Sequence, residues 1–282
     1  MSNRKAVLIT GTSSGIGRDA AGYLAGKGWR VFAGVRRDAD AERIGAESGG
    51  AITPVNCDVT NETSLIAARE IMESDLDGCG LDGLVNNAGI ATAGPLEFLS
   101  AEDLRHQFNV NVAGAMNTTR TFLPLLRKAG GRIVNISSIS GLIAFPFLGA
   151  YAMSKHALEA ASDALRIELM NSAIYVSLIE PGVIKTPIWK KSTAASLEMK
   201  KAMPTEALEL YGASLDKFVA NIARLNRYAT SPATVSRKIH HALTSNRPRA
   251  RYLIGLDAKL EYWGRVLLPA RLFDRILHRI ML

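Results

Sequence analysis

Short runs of apolar, largely β-branched residues recur along the chain: Ala6 to Thr10, Arg30 to Val35, Ala51 to Asn56, Gly83 to Asn86, Arg132 to Ser137, Ile174 to Glu180 and Tyr252 to Ile254. Longer amphipathic stretches, each sufficient for a helix, separate the first six. Runs that are apolar throughout, rather than alternating, suit strands buried on both faces. The rhythm therefore predicts βαβ units and a mainly parallel sheet covered by helices on both sides, an α/β doubly wound architecture. Right-handed crossovers then place ligands outside the carboxyl ends of the strands. The residues that follow each run are the ones to search for chemistry.

Past Pro187 the pattern loosens. Residues 188–225 are helical in composition but interrupted by Pro204 and Gly212, and they follow a strand end directly, so they read as a helical insertion over the ligand crevice. From Pro269, a last stretch carries Leu272, Phe273, Ile276, Leu277, Ile280 and Met281 on one face and Arg271, Arg275 and Arg279 on another. This is a basic amphipathic helix. No repeat or low-complexity linker divides the chain. Residues 1–259 are read as one domain and 260–282 as a C-terminal extension.

Composition narrows the class. With 282 residues, 48% of them hydrophobic and 21% charged, the chain can bury one large core and is not disordered. The net charge of +8 suggests a nucleic-acid partner until it is divided: +7 of it falls in the 46 residues from Arg237 onward, and the body is balanced. No basic stripe with interleaved aromatics runs through that body, so nucleic acid is excluded as a partner. Two cysteines, Cys57 and Cys79, with no His-rich cluster, make neither a disulfide framework nor a metal centre, and predict a reducing, cytoplasmic setting. No apolar run approaches the ~20 residues of a spanning helix, and no signal h-region is expected.

The first run ends in Thr10-Gly11-Thr12-Ser13-Ser14-Gly15-Ile16-Gly17 and passes at once into a helical stretch. Glycines at such a corner allow a tight turn and let a pyrophosphate approach the backbone, while the first-turn amides and the helix dipole favour the anion. A dinucleotide-binding, Rossmann-type sheet follows. The second run ends Ala33-Gly34-Val35-Arg36-Arg37, with no acid until Asp38. A 2′-phosphate on the adenosine ribose needs a cation there, so Arg36, with Arg37, points to NADP(H), with NAD(H) as the alternative. After the third run, Asp58 and Val59 stand where an adenine is expected, or else Asp58 or Thr60 caps the next helix. After the fourth, Asn87, Ala88 and Gly89 offer amides and small residues against the cofactor, or Asn87 ties neighbouring strands together.

Tyr151 and Lys155 lie four apart in a strongly helical run and so share one face. Tyrosine ionises near pH 10, too high for neutral-pH base work, and a lysine cation beside it favours the phenolate. Ser138 sits just past the fifth run, where its hydroxyl could meet a substrate carbonyl. Asn111 stands in the middle of an otherwise helical segment, where its amide holds a water or loosens a turn. Pro181, Gly182 and Thr186 form a rigid corner with a hydroxyl at the end of the sixth run.

Taken in order, Thr-Gly-x-x-x-Gly-Ile-Gly, Asn-Asn-Ala-Gly, Asn-Val-Ala-Gly, a Ser thirteen residues before the Tyr of Tyr-x-x-x-Lys, and Pro-Gly-x-x-x-Thr resemble the short-chain dehydrogenase/reductase family over roughly residues 5 to 255. The resemblance implies Tyr151 as general acid/base, Lys155 holding the nicotinamide ribose and lowering the tyrosine pKa, Ser138 orienting the carbonyl, and Asn111 anchoring a relay water. It also implies Thr186 on the cofactor carboxamide, Asp58 near adenine, Val35 in the slot that is Asp in NAD-preferring members, and no metal. The implied activity is hydride transfer between a nicotinamide and a carbonyl or alcohol. The alternative is a nicotinamide-binding scaffold or redox sensor without turnover.

The substrate is expected against Ser138, Leu142, Phe145, Phe147 and Met153, an apolar segment without charge that suits an apolar ketone or alcohol, or else packs as core. The run into Tyr-x-x-x-Lys and the segment around Arg251 are loosely similar to the steroid- and retinol-dehydrogenase branch. A homodimer or homotetramer is expected. The tail helix is read as a lid, as a subunit contact, or as a peripheral membrane contact with its arginines at the headgroups.

Overall fold

A computed structural model describes residues 4–186, 200 and 203–282. Seven strands form one parallel sheet: β1 (Ala6–Thr10), β2 (Arg30–Val35), β3 (Ile52–Asn56), β4 (Gly83–Asn86), β5 (Arg132–Ile136), β6 (Tyr175–Pro181) and β7 (Arg251–Ile254), in the order β3-β2-β1-β4-β5-β6-β7. Each apolar run of the sequence is one of these strands, with ends shifted by at most a residue or so. Alternate side chains of β1 enter different cores. Ala6 and Leu8 pack with Phe32, Leu65, Met72, Phe122 and Leu126, while Val7 and Ile9 pack with Leu24, Val31, Val134, Ile239 and Leu243. Burial on both faces is why these strands lack alternation.

The helices are α1 (Gly15–Gly26), α2 (Asp38–Ser48), α3 (Glu62–Asp75), α4 (Ala101–Phe108), α5 (Gly114–Ala129), α6 (Gly149–Glu168), α7 (Thr205–Leu225), α8 (Pro232–Thr244), α9 (Leu256–Leu267) and α10 (Ala270–Met281). Between α4 and α5, Asn109–Ala113 forms a π-helical turn. Local chemistry sets several ends: Asn61 accepts from the Ser64 amide to cap α3, Ser100 and Asp103 form a capping box on α4, and Pro232 follows the Ser231 cap of α8.

Two expectations are corrected. Gly212 does not interrupt the insertion, because α7 runs through it unbroken from Thr205 to Leu225. Burial of Ala207, Leu215, Phe218 and Ile222 outweighs the roughly 1 kcal/mol that an interior glycine costs. The earlier part of the insertion, Ile188 to Leu197 among it, lies outside the described residues. The cap of α3 is Asn61, not Asp58 or Thr60.

The chain order reverses between β1 and β4, which are adjacent though β2 and β3 lie between them in sequence. This is a topological switch point, and the crevice for a ligand opens at its carboxyl edge.

Candidate active site

A crevice with a volume of ≈ 510 Å³ runs along the carboxyl ends of the strands. Gly11, Ser13, Ser14, Gly15, Ile16, Val35, Arg36, Arg37, Asp58, Val59, Asn87, Ala88 and Gly89 line it together with Ser138, Tyr151, Lys155, Pro181, Gly182 and Thr186. Residues from six strand ends and from α6 therefore converge on one space.

At the first corner, Gly11 has φ +68° and Gly15 φ +62°, left-handed values that favour glycine. A Cβ on Gly11 would stand 2.8 Å from Ala88 Cα, so β1 and β4 close on each other only without one. Gly17 does not line the crevice. A Cβ there would lie 2.5 Å from the Gly11 carbonyl oxygen, so this glycine serves the packing of α1 on its own strand. No side chain caps α1, which leaves first-turn N–H groups at the crevice for an anion. Both donors of the Asn87 amide go to the carbonyls of Thr10 (2.8 Å) and Gly11 (3.0 Å), and the Asn87 and Ala88 amides donate to Thr10 Oγ1 at 3.0 Å each. Asn87 ties the two strands together.

The arginines after β2 differ. Arg37 is paired with Asp40 at 2.9 Å, and Asp40 is also held by Arg43 at 2.8 Å. These two guanidiniums keep the Asp40 carboxyl below the usual range. Arg36 is exposed, lines the crevice, and has no ion-pair partner among the described residues. Asp58 Oδ1 accepts from the Thr60 amide (2.9 Å) and hydroxyl (2.7 Å), which stiffens the turn on which Asp58 faces the crevice. An uncapped helix start and close-packed glycines fit the phosphates of a dinucleotide.

At the other end, Lys155 Nζ donates to the Ile136 carbonyl at 2.7 Å and lies 5.7 Å from the Tyr151 ring centroid. Ser138 Oγ accepts from the Ser140 amide at 3.1 Å, which fixes the hydroxyl at the start of a single 3₁₀ turn. Burial pushes the Tyr151 phenol up to about 12, with the Ser138 hydroxyl working against that rise. Burial also lowers the Lys155 ammonium to about 8, while the Glu159 charge acts to raise it. The expected lowering of the phenol by the lysine is thus not the net result. Desolvation prevails over the Ser138 hydroxyl, and Tyr151 stands as a neutral phenol at neutral pH.

Asn111 does not line the crevice. It is 1% exposed, in the π-helical turn. Its Nδ2 donates to the Ile90 carbonyl and to Ser154 Oγ, both at 3.0 Å, and its Oδ1 accepts from the Ile90 amide at 2.9 Å. Gln107 grips the same loop, donating to the Ile90 carbonyl (2.9 Å) and accepting from the Thr92 amide (2.7 Å). Ser154 in turn donates to the Tyr151 carbonyl at 2.7 Å. The side chain of Asn111 therefore locks the loop after β4 to the helix that carries Tyr151, and both of its donors are already used.

The apolar segment differs from expectation. Leu142, Phe145, Phe147 and Met153 are not among the crevice-lining residues. Leu142 and Phe145 pack with Ile143, Ala258 and Phe273. Phe147 packs edge to face on Phe218 and Tyr211 of α7, and Met153 is 45% exposed on α6. The physical reason is that α7, α9 and α10, remote in sequence, cover this segment and take its apolar surface into their own contacts. Three of the four therefore make packing contacts.

Several residues were not singled out in the sequence. Asp257 Oδ2 accepts from the Val183 amide at 2.7 Å and sits so close to Gly182 that a Cβ there would lie 2.3 Å from it. It fastens the corner that carries Pro181, Gly182 and Thr186. Gln107 and Ser154 support the site from the side. None is signalled by local pattern, because each acts on a partner far away in the chain.

A doubly wound parallel sheet with a glycine-rich anion corner at one end of its crevice, and a phenol, an amine and a hydroxyl at the other, defines a nicotinamide-type oxidoreductase site. The family model for short chain dehydrogenase matches residues 5–197, and the chain belongs to that family; it is an oxidoreductase of a kind that binds nicotinamide cofactors. Its relatives include 17-beta-hydroxysteroid dehydrogenase type 6 of Homo sapiens, 39% identical across 98% of this chain and 88% of the relative. Retinol dehydrogenase 16 of Mus musculus is 37% identical across 97% and 88%. These place the chain on the steroid- and retinol-dehydrogenase-like side of the family. Among solved structures, a short-chain dehydrogenase from Streptomyces avermitilis superposes with a TM-score of 0.77 at 26% identity, covering 94% of this chain and 93% of that one.

Proposed function

We propose that the chain is an NADP(H)-dependent oxidoreductase that moves a hydride between nicotinamide and an apolar ketone or secondary alcohol of steroid, retinoid or aromatic-ketone type. The observation that carries this reading is the meeting of Tyr151, Ser138 and Lys155 at one end of the crevice whose other end holds the uncapped α1 and the exposed Arg36. The bound cofactor supplies or accepts the hydride. Tyr151, neutral at pH 7, is set to donate its proton to a developing alkoxide, the direction of carbonyl reduction. The Ser138 hydroxyl, held in place by its own turn, shares the charge on that oxygen. Lys155, anchored on the Ile136 carbonyl, keeps its cation beside the phenol and favours the phenolate that remains.

The substrate class is supported by the names of the relatives. The test is Tyr151→Phe with a panel of apolar ketones. NADPH binding, followed by fluorescence titration, is expected to persist, while turnover falls by roughly 10²–10⁴. Undiminished turnover removes Tyr151 from the mechanism, and NADPH binding by the wild type with no consumption across the panel favours the non-catalytic scaffold.

We propose in addition that α9 and α10 rest on an anionic lipid surface. Leu260, Trp263 and Leu267 stand out from α9, and Leu272, Ile276 and Ile280 from α10, beside the row of Arg271, Arg275 and Arg279. An exposed apolar stripe flanked by cations suits a bilayer interface. Among the described residues no helix is long and apolar enough to cross a membrane.

A further inference from the structure

Glu159 follows Lys155 by one turn of α6, so the two share a helix face. It is 5% exposed, and Glu180, at the end of β6, is 2% exposed. Both face Arg251 at the start of β7. Its Nη2 donates to Glu159 Oε2 (3.1 Å) and to Asp163 Oδ2 (2.7 Å), and its Nε lies 3.1 Å from Glu180 Oε1. Asp163, at the outer rim, is also paired with Arg166 at 2.5 Å. The cluster touches the turn of Ser138 as well, since a Cβ on Gly141 would stand 2.7 Å from Ser137 Oγ and 3.2 Å from Glu159 Oε1. Among the described residues, the buried oxygens Glu159 Oε1 and Ser137 Oγ have no hydrogen-bond partner, and Glu180 Oε1 has only the ion-pair contact to Arg251.

Glu159 has the Lys155 cation on its own helix face as well as Arg251, whereas Glu180, among the described residues, faces only the guanidinium that it shares with Glu159 and Asp163, so a full charge on Glu180 is costly at that depth. Retaining one proton between them removes that cost and gives an orphaned oxygen something to bind. We propose that Glu159 and Glu180 together hold one proton, resident on Glu180, and that Glu159, as the carboxylate of the pair, is a positioning residue that keeps Lys155 an ammonium.

The assignment of the proton to Glu180 follows the surroundings. Glu159 faces the cations of Lys155 and Arg251, together with Asp163 and the Ser137 hydroxyl. Glu180 faces Arg251 and Glu159, and burial with the Glu159 charge pushes its carboxyl up to about 8. Desolvation lowers Lys155 to about 8, and Glu159 is the charge acting to raise it. Without Glu159 the ammonium would be lost at lower pH.

This inference rests on the reading of Lys155 as part of the reaction site, so its test has one readout through turnover and one without. Glu159→Gln is expected to move the alkaline limb of the kcat profile acidward by about one unit. That is roughly a fivefold loss near pH 8, approaching tenfold at higher pH, with little change near pH 6. Glu159→Asp, which retains the charge, restores the limb at least in part. Glu180→Gln, which mimics the neutral acid, leaves the limb where it is. Independently of turnover, Glu180 has a folded pKa raised above its unfolded value, so its contribution to stability is complete below about pH 4.5 and is lost as pH rises through about 8. The unfolding free energy of the wild type, relative to Glu180→Gln, should fall across that window. A Glu159→Gln profile that matches the wild type, or a Glu180→Gln limb shifted as far as that of Glu159→Gln, overturns the positioning role. A flat stability difference overturns the shared proton. An active Lys155→Met with an unchanged limb defeats the reading of Lys155 while the stability measurement still reports on the pair.

Discussion

Replacing Asn111 by Leu tests whether its amide acts as a scaffold or in the chemistry. The substitution keeps the volume and deletes two donors and one acceptor. The Ile90 carbonyl retains the Gln107 donor at 2.9 Å, and Ser154 Oγ retains its own bond to the Tyr151 carbonyl. The Ile90 amide keeps nothing. Leaving one partly buried N–H unsatisfied costs ~1–2 kcal/mol, and the two forfeited bonds to Ile90 and Ser154 add roughly 0.5–1 kcal/mol each. The loss of stability should therefore be about 2–4 kcal/mol, a large part of the ~5–15 kcal/mol that holds a domain together. Urea unfolding reads it as a lower midpoint at unchanged slope. Asn111→Ala should lose less, because a water can occupy the polar space and bond to Ile90. NADPH affinity should weaken in step with stability, since Ile90 and Ala91 line the crevice. A Leu variant with stability within about 0.5 kcal/mol of wild type refutes the scaffold argument. So does one in which only kcat falls while stability and NADPH affinity hold.

Val35→Asp with Arg36→Ala should turn cofactor preference toward NADH. It exchanges a charge-assisted contact of ~1.5–3 kcal/mol, about 10- to 100-fold in the ratio of kcat/KM values, and a wild type that already prefers NADH sinks the arginine argument. Gly182→Ala should drive the Asp257 carboxylate off the Val183 amide and cost about 1–3 kcal/mol with weaker NADPH binding; relief by a second change, Asp257→Gly, checks that the clash is the cause. Vesicles containing phosphatidylserine should bind the protein and shift the emission of Trp263, which is 55% exposed, to the blue, whereas neutral vesicles should not. Changing Arg271, Arg275 and Arg279 to Glu should abolish that binding. A dimer that dissociates on the same triple change, with no vesicle binding by the wild type, assigns the surface to a second copy instead.

The strands were legible in the sequence because burial on both faces leaves an unbroken apolar run, a signal carried by adjacent residues. The residues around the crevice were legible for a similar reason. In a doubly wound sheet the site lies at strand ends, and Gly11 to Ile16, Asn87 to Gly89, Ser138 and Pro181 to Thr186 directly follow runs that could be read. Tyr151 and Lys155 needed only the period of one helix. Legibility failed where a residue's task depends on a partner distant in the chain. That Phe145 and Phe147 pack against α7, α9 and α10 could not be read from their own segment. Asn111 stood out as a polar residue in a helical segment, but that its amide holds Ile90 and Ser154 could not be read from its neighbours.

The pKa values belong to the same group. Sequence alone places an ammonium near a phenol and argues for a lowered tyrosine. Only the packed structure shows that desolvation prevails and that Glu159, Glu180 and Arg251 gather from α6, β6 and β7 behind them. The order of strands, the helices and the kinds of group at the site are determined locally, by periodicity and backbone preference. Which oxygen is orphaned, which donor is already used and which carboxyl keeps its proton depend on the low dielectric and close packing that exist only once remote segments have met.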